Sequence, residues 1–219
     1  MPSRVIAACD GACLNNPGPA GWGWVIADSD EHVVRWASGP LGDATNNIAE
    51  LTALKQLLSA VDPDAGLQVR MDSKYAIDAV TTYLPGWKAN GWKTAKNKPV
   101  ANRDIIVAID TLLTGRTVEF VHVPAHQEDG DRLNALADRA ASAAATSQQA
   151  AEGTSAEEIP EGADEVQPRR RSAPRKTSGP AVTTAQFAGL CRCGRGFKAG
   201  DKIAKGTDGK WGHPACATA

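Results

Sequence analysis

Along residues 4–145 the apolar positions change period several times, and each change marks an element. Arg4–Asp10 is a short apolar run ending in an acid and reads as a buried strand. Gly11–Gly21 is rich in Gly, Pro and Asn and reads as a turn region. Trp22, Trp24 and Ile26 alternate with smaller residues as a second strand would, and His32–Ser38 supplies a third. Thr45, Asn46 and Asn47 offer N-caps to a helix whose apolar positions Ile48, Leu51, Leu54, Leu57 and Leu58 follow near-helical spacing, with Glu50 early in it. Leu67, Val69 and Met71 alternate up to Asp72 and Ser73, where a strand hands over to a helix through Tyr83. Val100–Leu113 has a helical pattern, Thr117–Val123 alternates again, and Arg132–Ala145 is an Ala-rich helix carrying Asp138. The predicted order is βββαβαβα with an added insertion, an α/β fold with a mixed five-stranded sheet flanked by helices.

Composition changes abruptly after this region. The chain has 219 residues, long enough for one ordinary domain and extra material. From Ser147 to about Pro180 large apolar residues almost vanish, Ile159 and Val166 excepted, so ordering entropy would outweigh burial. The expected organisation is a domain over 1–146, a flexible linker over 147–180 and a small module over 181–219. The net charge of −1 hides a segregation. Residues 148–167 carry 6 acids and no base, 168–178 carry 5 bases and no acid, and 179–219 carry 6 bases against 2 acids. That order suggests an anionic partner for the tail, although a solvated linker would show it too. No run approaches the roughly 18 apolar residues of a membrane span. The early Asp10 interrupts any signal-peptide core. Five cysteines, an odd count split between the chain's ends, point away from a secreted disulfide framework and towards a reducing cytoplasm. A monomer with no membrane association is expected.

Asp10 and Asp72 each close a predicted strand, and Glu50 and Asp138 lie on helices that could pack near those ends. Four facing carboxylates would repel and raise one another's pKa values. Divalent cations relieve this, and oxygen donors suit Mg²⁺ or Mn²⁺. Two such ions about 4 Å apart could activate water and stabilise the leaving oxygen of a phosphodiester. For any single Asp the plainer reading is a helix cap or a surface charge.

Whole motifs decide between these readings. DGACLNNPGPAGWGWVI (10–26), TNNIAEL (45–51), MDSKYAIDAV (71–80), GWKTAKNKPVAN (91–102) and VPAHQEDGDRLNALAD (123–138) occur in order. Together, over roughly residues 3–145, they resemble the type 1 ribonuclease H family. The resemblance implies the ribonuclease H-like fold and Mg²⁺-dependent endonucleolytic cleavage of the RNA strand of RNA–DNA hybrids, leaving 5′-phosphate and 3′-hydroxyl ends. It places the family's metal-binding carboxylates on Asp10, Glu50, Asp72 and Asp138, with two ions per site, and its mobile active-site histidine, for product release or proton transfer, on His126. It also implies that Asp10 and Asp138 serve the ion activating water, with Asp72 near it. Glu50 would serve the second ion and approach the RNA 2′-hydroxyl. Asn16, Asn46 and Asn47 would lie along the hybrid's minor groove, Thr45 would hold a DNA-strand phosphate, and Cys13, a groove residue, and Asn134 would also bind substrate.

The insertion Trp87–Arg103 carries Lys88, Lys93, Lys96, Lys98 and Arg103, with Trp87 and Trp92 between them and no acid. Such a stretch can neutralise phosphates by counterion release, and each Trp offers either a flat surface for a sugar or a packing anchor. In the resemblance it is the basic protrusion that grips the DNA strand. Near the C-terminus, Cys191-x-Cys193 and His213-x2-Cys216 stand 19 residues apart, a thiolate and imidazole set suited to structural Zn²⁺. A module this small needs such a staple to fold. It loosely resembles small Cys/His zinc fingers, from which the single-residue Cys191–Cys193 spacing departs. A free-thiol tail is the alternative. Its six Lys and Arg suggest that the module aids nucleic-acid binding. Two other functions are open to the whole chain: a non-catalytic nucleic-acid-binding or scaffold protein on the same fold, and a related nuclease acting on duplex DNA. A pure binder gains nothing from four clustered carboxylates beside phosphates.

Overall fold

The computed structural model describes residues 4–124, 130–161, 182–191, 193–206 and 209–217. The chain divides into two compact units, Met1–Val166 and Gln167–Ala219. In the first, β1 (Val5–Cys13), β2 (Gly18–Ala27) and β3 (Val33–Ala44) form an antiparallel meander, followed by α1 (Asn46–Ala60) and β4 (Leu67–Met71). Then come α2 (Lys74–Asp78), a π-helical turn (Ala79–Tyr83), α3 (Leu84–Ala89) and α4 (Arg103–Leu113). The unit continues with β5 (Val118–His122), α5 (Arg132–Ser147) and β6 (Ala151–Gly153). The strands are ordered β5-β4-β1-β2-β3-β6. The β1–β4 and β4–β5 pairs are parallel and the others antiparallel, so the sheet is mixed as expected.

Two apolar layers hold it together. Leu51, Leu54, Leu57 and Leu58 of α1, fully buried, pack with Val69, Met71, Ile106 and Ile109 on one face. Ala8, Val25, Trp36, Leu133, Ala137, Ala140 and Ile159 fill the other. The helix after Ser73 overruns its expected end at Tyr83 because it widens into a π turn ahead of Pro85, whose nitrogen carries no N–H to continue the ladder. α4 begins at Arg103 rather than Val100, after Asn102 at φ 56°.

The structure corrects three expectations. The sheet has six strands rather than five, because β6 pairs with β3, setting Trp36 opposite Gly153. The segment expected as linker is therefore folded through residue 161. Gly153 lies so close to Trp36 that an added Cβ would sit 2.6 Å from the indole Nε1. Ile159 is 3% exposed in the α5-side core, and Arg139 donates to the Ala156 carbonyl at 2.6 Å. One isoleucine and one glycine anchor a segment whose composition alone favours disorder. Lastly, Asp10 does not end its strand. β1 continues to Cys13 beside β2, whereas β4 accompanies it only as far as Ala8, so Asp10 emerges just beyond the carboxyl end of β4.

The second unit contains a three-stranded sheet, β11-β10-β7, built from β7 (Val182–Thr184), β10 (Lys202–Lys205) and β11 (Trp211–Gly212). A hairpin of β8 (Gly189–Leu190) and β9 (Gly196–Phe197) and the single turn α6 (Pro214–Ala217) complete it. Ala185, Cys191, Phe197 and Ile203 form its small core. Among the described residues no helix is long and apolar enough to cross a membrane.

Candidate active site

Close approach of two helices to bare strand positions assembles the acidic centre. At Gly11, a Cβ would collide with the backbone of Ala49 and Glu50, so only glycine lets the start of α1 lie against β1. At Gly23, which pairs with Asp10, a Cβ would sit 2.6 Å from both the Ala137 carbonyl oxygen and the Ala141 nitrogen. Gly21 is equally bare under Ala141 and Ala145. These glycines, two apart on one face of β2, admit the Ala-rich face of α5 and with it Asp138.

Asp10, Glu50 and Asp72 thereby meet, each offering a carboxylate oxygen within 4.8 Å of the other two. Asp10 and Glu50 are each only 5% exposed. The Gly11 N–H donates to Asp10 Oδ1 at 2.7 Å, and Asn46 Nδ2 donates to Glu50 Oε1 at 3.3 Å. Among the described residues Glu50 Oε2 is buried with no hydrogen-bond partner. Burial, followed by the charge of Asp72, pushes the Glu50 carboxyl from 4.5 up to about 8. Burial, then Glu50, Asp72 and Asp138, raises Asp10 well above its ordinary range, against the opposing Gly11 N–H. Asp138 stands outside the close trio but near enough for its charge to act on Asp10, and Ser142 Oγ donates to its Oδ1 at 3.5 Å. Beneath them burial also raises the thiol of Cys9. Desolvated carboxylates crowded around an unpartnered oxygen are the donor set for a hard divalent cation, so the residues present fit such an ion.

The rim gathers several of the predicted groove residues. Asn16 Oδ1 accepts the Asn46 N–H at 3.1 Å, Thr45 Oγ1 caps α1 through the Ile48 N–H at 3.4 Å, and Cys13 Sγ donates to the Ala44 carbonyl at 3.1 Å. Asn16 and Asn47 are exposed. Asn134 differs: it is 6% exposed in the first turns of α5, and among the described residues its Oδ1 has no partner. His126 lies outside the described residues. Sequence reasoning missed His122, whose Nε2 stands 3.2 Å from the Asp72 carbonyl. It also missed the glycines under both helices, for which the Gly-Trp-Gly-Trp alternation was the available signal.

In the basic insertion Lys93, Lys96 and Lys98 are exposed. Trp87 and Trp92 are half-buried against the α1-side core, with Trp87 5.5 Å from the Tyr83 ring and the Arg103 guanidinium over Trp92 at 5.7 Å. Of the two roles open to them, that of packing anchor fits their burial. Lys88 is engaged with Asp110 at 2.8 Å.

In the second unit Cys191, Cys193, His213 and Cys216 bring one ligand atom each within 4.8 Å of the others. Cys191 Sγ accepts the His213 N–H at 3.4 Å, and Cys193 Sγ is 3.6 Å from His213 Nδ1. The Arg195 N–H first, then the Cys191 side chain, lower Cys193 to about 7, and the N–H groups of Cys193 and His213 lower Cys191. Hydrogen bonding with Cys193 and Cys191 raises Cys216 instead. The short Cys-x-Cys spacing thus does not prevent a four-membered set, and three sulfurs with one imidazole are a donor set for a soft cation.

Comparison with known proteins agrees with this geometry. The RNase H family profile matches residues 2–146. Ribonuclease HI of Streptomyces coelicolor is 58% identical over 228 aligned residues, covering 100% of this chain and 98% of that protein, the second unit included. Ribonuclease H of Tropheryma whipplei is 44% identical over 144 residues, 65% of this chain and 85% of its own. Among solved structures, LC9-RNase H1, a type 1 RNase H, superposes with a TM-score of 0.63 at 22% identity over 71% of this chain and 79% of that one, a likeness of fold. The PFV RNase H domain gives 0.55 at 27% over 64% and 93%. The chain belongs to the type 1 ribonuclease H family.

Proposed function

We propose that this ribonuclease hydrolyses the RNA strand of RNA–DNA hybrids, with Asp10, Glu50, Asp72 and Asp138 holding two Mg²⁺ ions, a role Mn²⁺ could also fill. The observation that carries the reading is the close carboxylate trio, with Asp10 and Glu50 buried, Asp72 half-buried and a Glu50 oxygen without a partner among the described residues. When bound, paired cations offset the carboxylate charge, activate water and stabilise the leaving oxygen.

The chain's own residues prepare that chemistry. The Gly11 N–H fixes one oxygen of Asp10, and the Asn46 amide fixes one oxygen of Glu50. Asn16, Thr45 and Asn46 form a polar rim on the β1–β2 turn and the start of α1, where amides and a hydroxyl can read 2′-hydroxyls and phosphates without sequence preference. Lys93, Lys96 and Lys98 supply exposed charge for the DNA-strand backbone. His126 would move protons or aid product departure. The three Cys and one His of the second unit would hold a structural Zn²⁺, to be read by metal analysis of the full chain, with Cys193→Ser expected to lose it. All five thiols are free, which suits a reducing cytoplasm, and a monomer suffices because one chain supplies the whole acidic set.

The test incubates the chain with labelled RNA–DNA hybrid, RNA duplex and DNA duplex, each with Mg²⁺ or with chelator. Mg²⁺-dependent cleavage confined to the RNA of the hybrid is expected. Cleavage of DNA duplex, or cleavage that survives chelation, would overturn the reading.

A further inference from the structure

The second unit carries a cleft that the carboxylate centre does not use. Its volume is about 520 Å³, within the roughly 300–1,000 Å³ usual for ligand sites. Its floor follows from strand register: Thr183 of β7 pairs with Ile203 of β10, and Lys205 of β10 pairs with Trp211 of β11. Residues two apart on a strand share a face, so Ile203 and Lys205 point the same way, and their cross-strand partners point with them. One face of the small sheet thus presents an aliphatic floor, a hydroxyl, an indole and an ammonium side by side. Phe187 joins Trp211 in lining the cleft, and these rings are 80% and 44% exposed. Phe197, by contrast, closes the core at 8%.

Charge and chemistry select the occupant. No residue lining the cleft is charged; Thr183, Thr184 and Gln186 give it neutral donors and acceptors, and Lys205, opposite the lining residue Trp211 in register, stands beside it. Residues 179–219 carry 6 Lys and Arg against 2 Asp. Exposed aromatic faces beside a cation in a basic module suit stacked bases joined by phosphates. A duplex keeps its base faces covered, and only an unpaired strand can lay them on Trp211 and Phe187.

We propose that this cleft binds single-stranded nucleic acid, with bases stacked on Trp211 and Phe187 and a backbone phosphate reaching Lys205 just outside the lining. The proposal rests on the hybrid-cleavage reading only for the class of partner. Where one strand of a hybrid runs on unpaired, a second unit that holds it would keep the nuclease beside its substrate through intramolecular effective concentration.

The test uses the full chain carrying Asp10→Asn, so that RNA stays intact. Fluorescence anisotropy measures its affinity for a labelled oligothymidylate, an oligouridylate and a blunt-ended hybrid, at several salt concentrations. Phe187→Ala and Trp211→Ala are each expected to weaken both single strands about fivefold to a hundredfold, the loss of one stacked base. Trp211→Phe should retain most of the affinity, and Lys205→Ala should make the salt dependence shallower by about 0.7 in log–log slope. Phe187 is exposed, so its truncation leaves the fold intact. Single-strand affinity unchanged in both alanine variants, or lost equally for the blunt hybrid, would overturn the proposal. Cleavage of hybrid by the unaltered chain is read separately, so failure of the cleft and failure of the catalytic reading are distinguishable.

Discussion

Replacing Glu50 by Gln keeps the side chain's shape and removes its charge. Glu50 is 5% exposed, its Oε2 has no partner among the described residues, and Asp72 stands close by. Its carboxyl is therefore pushed from 4.5 up to about 8. Between these values the folded chain holds a proton that the unfolded chain has released, so stability falls as pH rises through that window. A separation of roughly 3.5 pH units, at about 1.4 kcal/mol each, corresponds to ~5 kcal/mol at full ionisation. Proton sharing with Asp10 reduces what one substitution recovers, so the gain expected is about 2–5 kcal/mol. Glu50→Gln should thus be more stable than the parent by that amount at pH 8.5 without Mg²⁺, should match it near pH 4.5, and should cleave no hybrid. Urea unfolding followed by Trp fluorescence, in buffer freed of Mg²⁺, measures the difference. Adding Mg²⁺ should narrow the gap at pH 8.5, because an ion that binds only the folded parent stabilises it by mass action. A variant less stable than the parent at pH 8.5, or a gap independent of pH, would refute the claim that the site stores electrostatic strain for a cation.

Gly23→Ala introduces a methyl 2.6 Å from the Ala137 carbonyl and should cost about 1–3 kcal/mol, with a larger relative loss of cleavage because α5 must retreat and carry Asp138 with it; unchanged thermal unfolding and activity would count against the packing argument. Ile159→Ala should cost about 2–4 kcal/mol in urea unfolding, whereas an effect below about 0.5 kcal/mol would mean the segment after α5 is linker after all. Combined replacement of Lys93, Lys96 and Lys98 by Ala should raise KM for the hybrid and flatten its salt dependence while kcat holds; a kcat loss without a KM change would place these lysines in the chemistry rather than in binding.

Most of the first unit was legible because its apolar periods are clean. Leu67, Val69 and Met71 alternate as a half-buried strand must, and β4 has the bounds that pattern implies. Leu51, Leu54, Leu57 and Leu58 mark the buried stripe of α1. The acids were nameable because whole motifs surround them, but their meeting was not. It depends on Gly11, Gly21 and Gly23, whose lack of a side chain registers in a local pattern only as turn propensity. That ambiguity also turned the extension of β1 and the start of β2 into an expected loop. β6 escaped notice for a related reason: three residues without a β-branched side chain carry no strand signal, and their pairing with β3 is a tertiary fact. In the second unit the metal-ligand spacing was visible. The cleft was not, because it depends on which residues of β7, β10 and β11 share a face.

The central claim is that separated acids form one cation site. Crystals of the chain soaked in Mn²⁺, with diffraction recorded at the manganese absorption edge, test it most directly. The account predicts two anomalous peaks within coordination distance of Asp10, Glu50, Asp72 and Asp138, both lost in Asp10→Asn. Manganese bound elsewhere on the molecule with no density among these four carboxylates would contradict it.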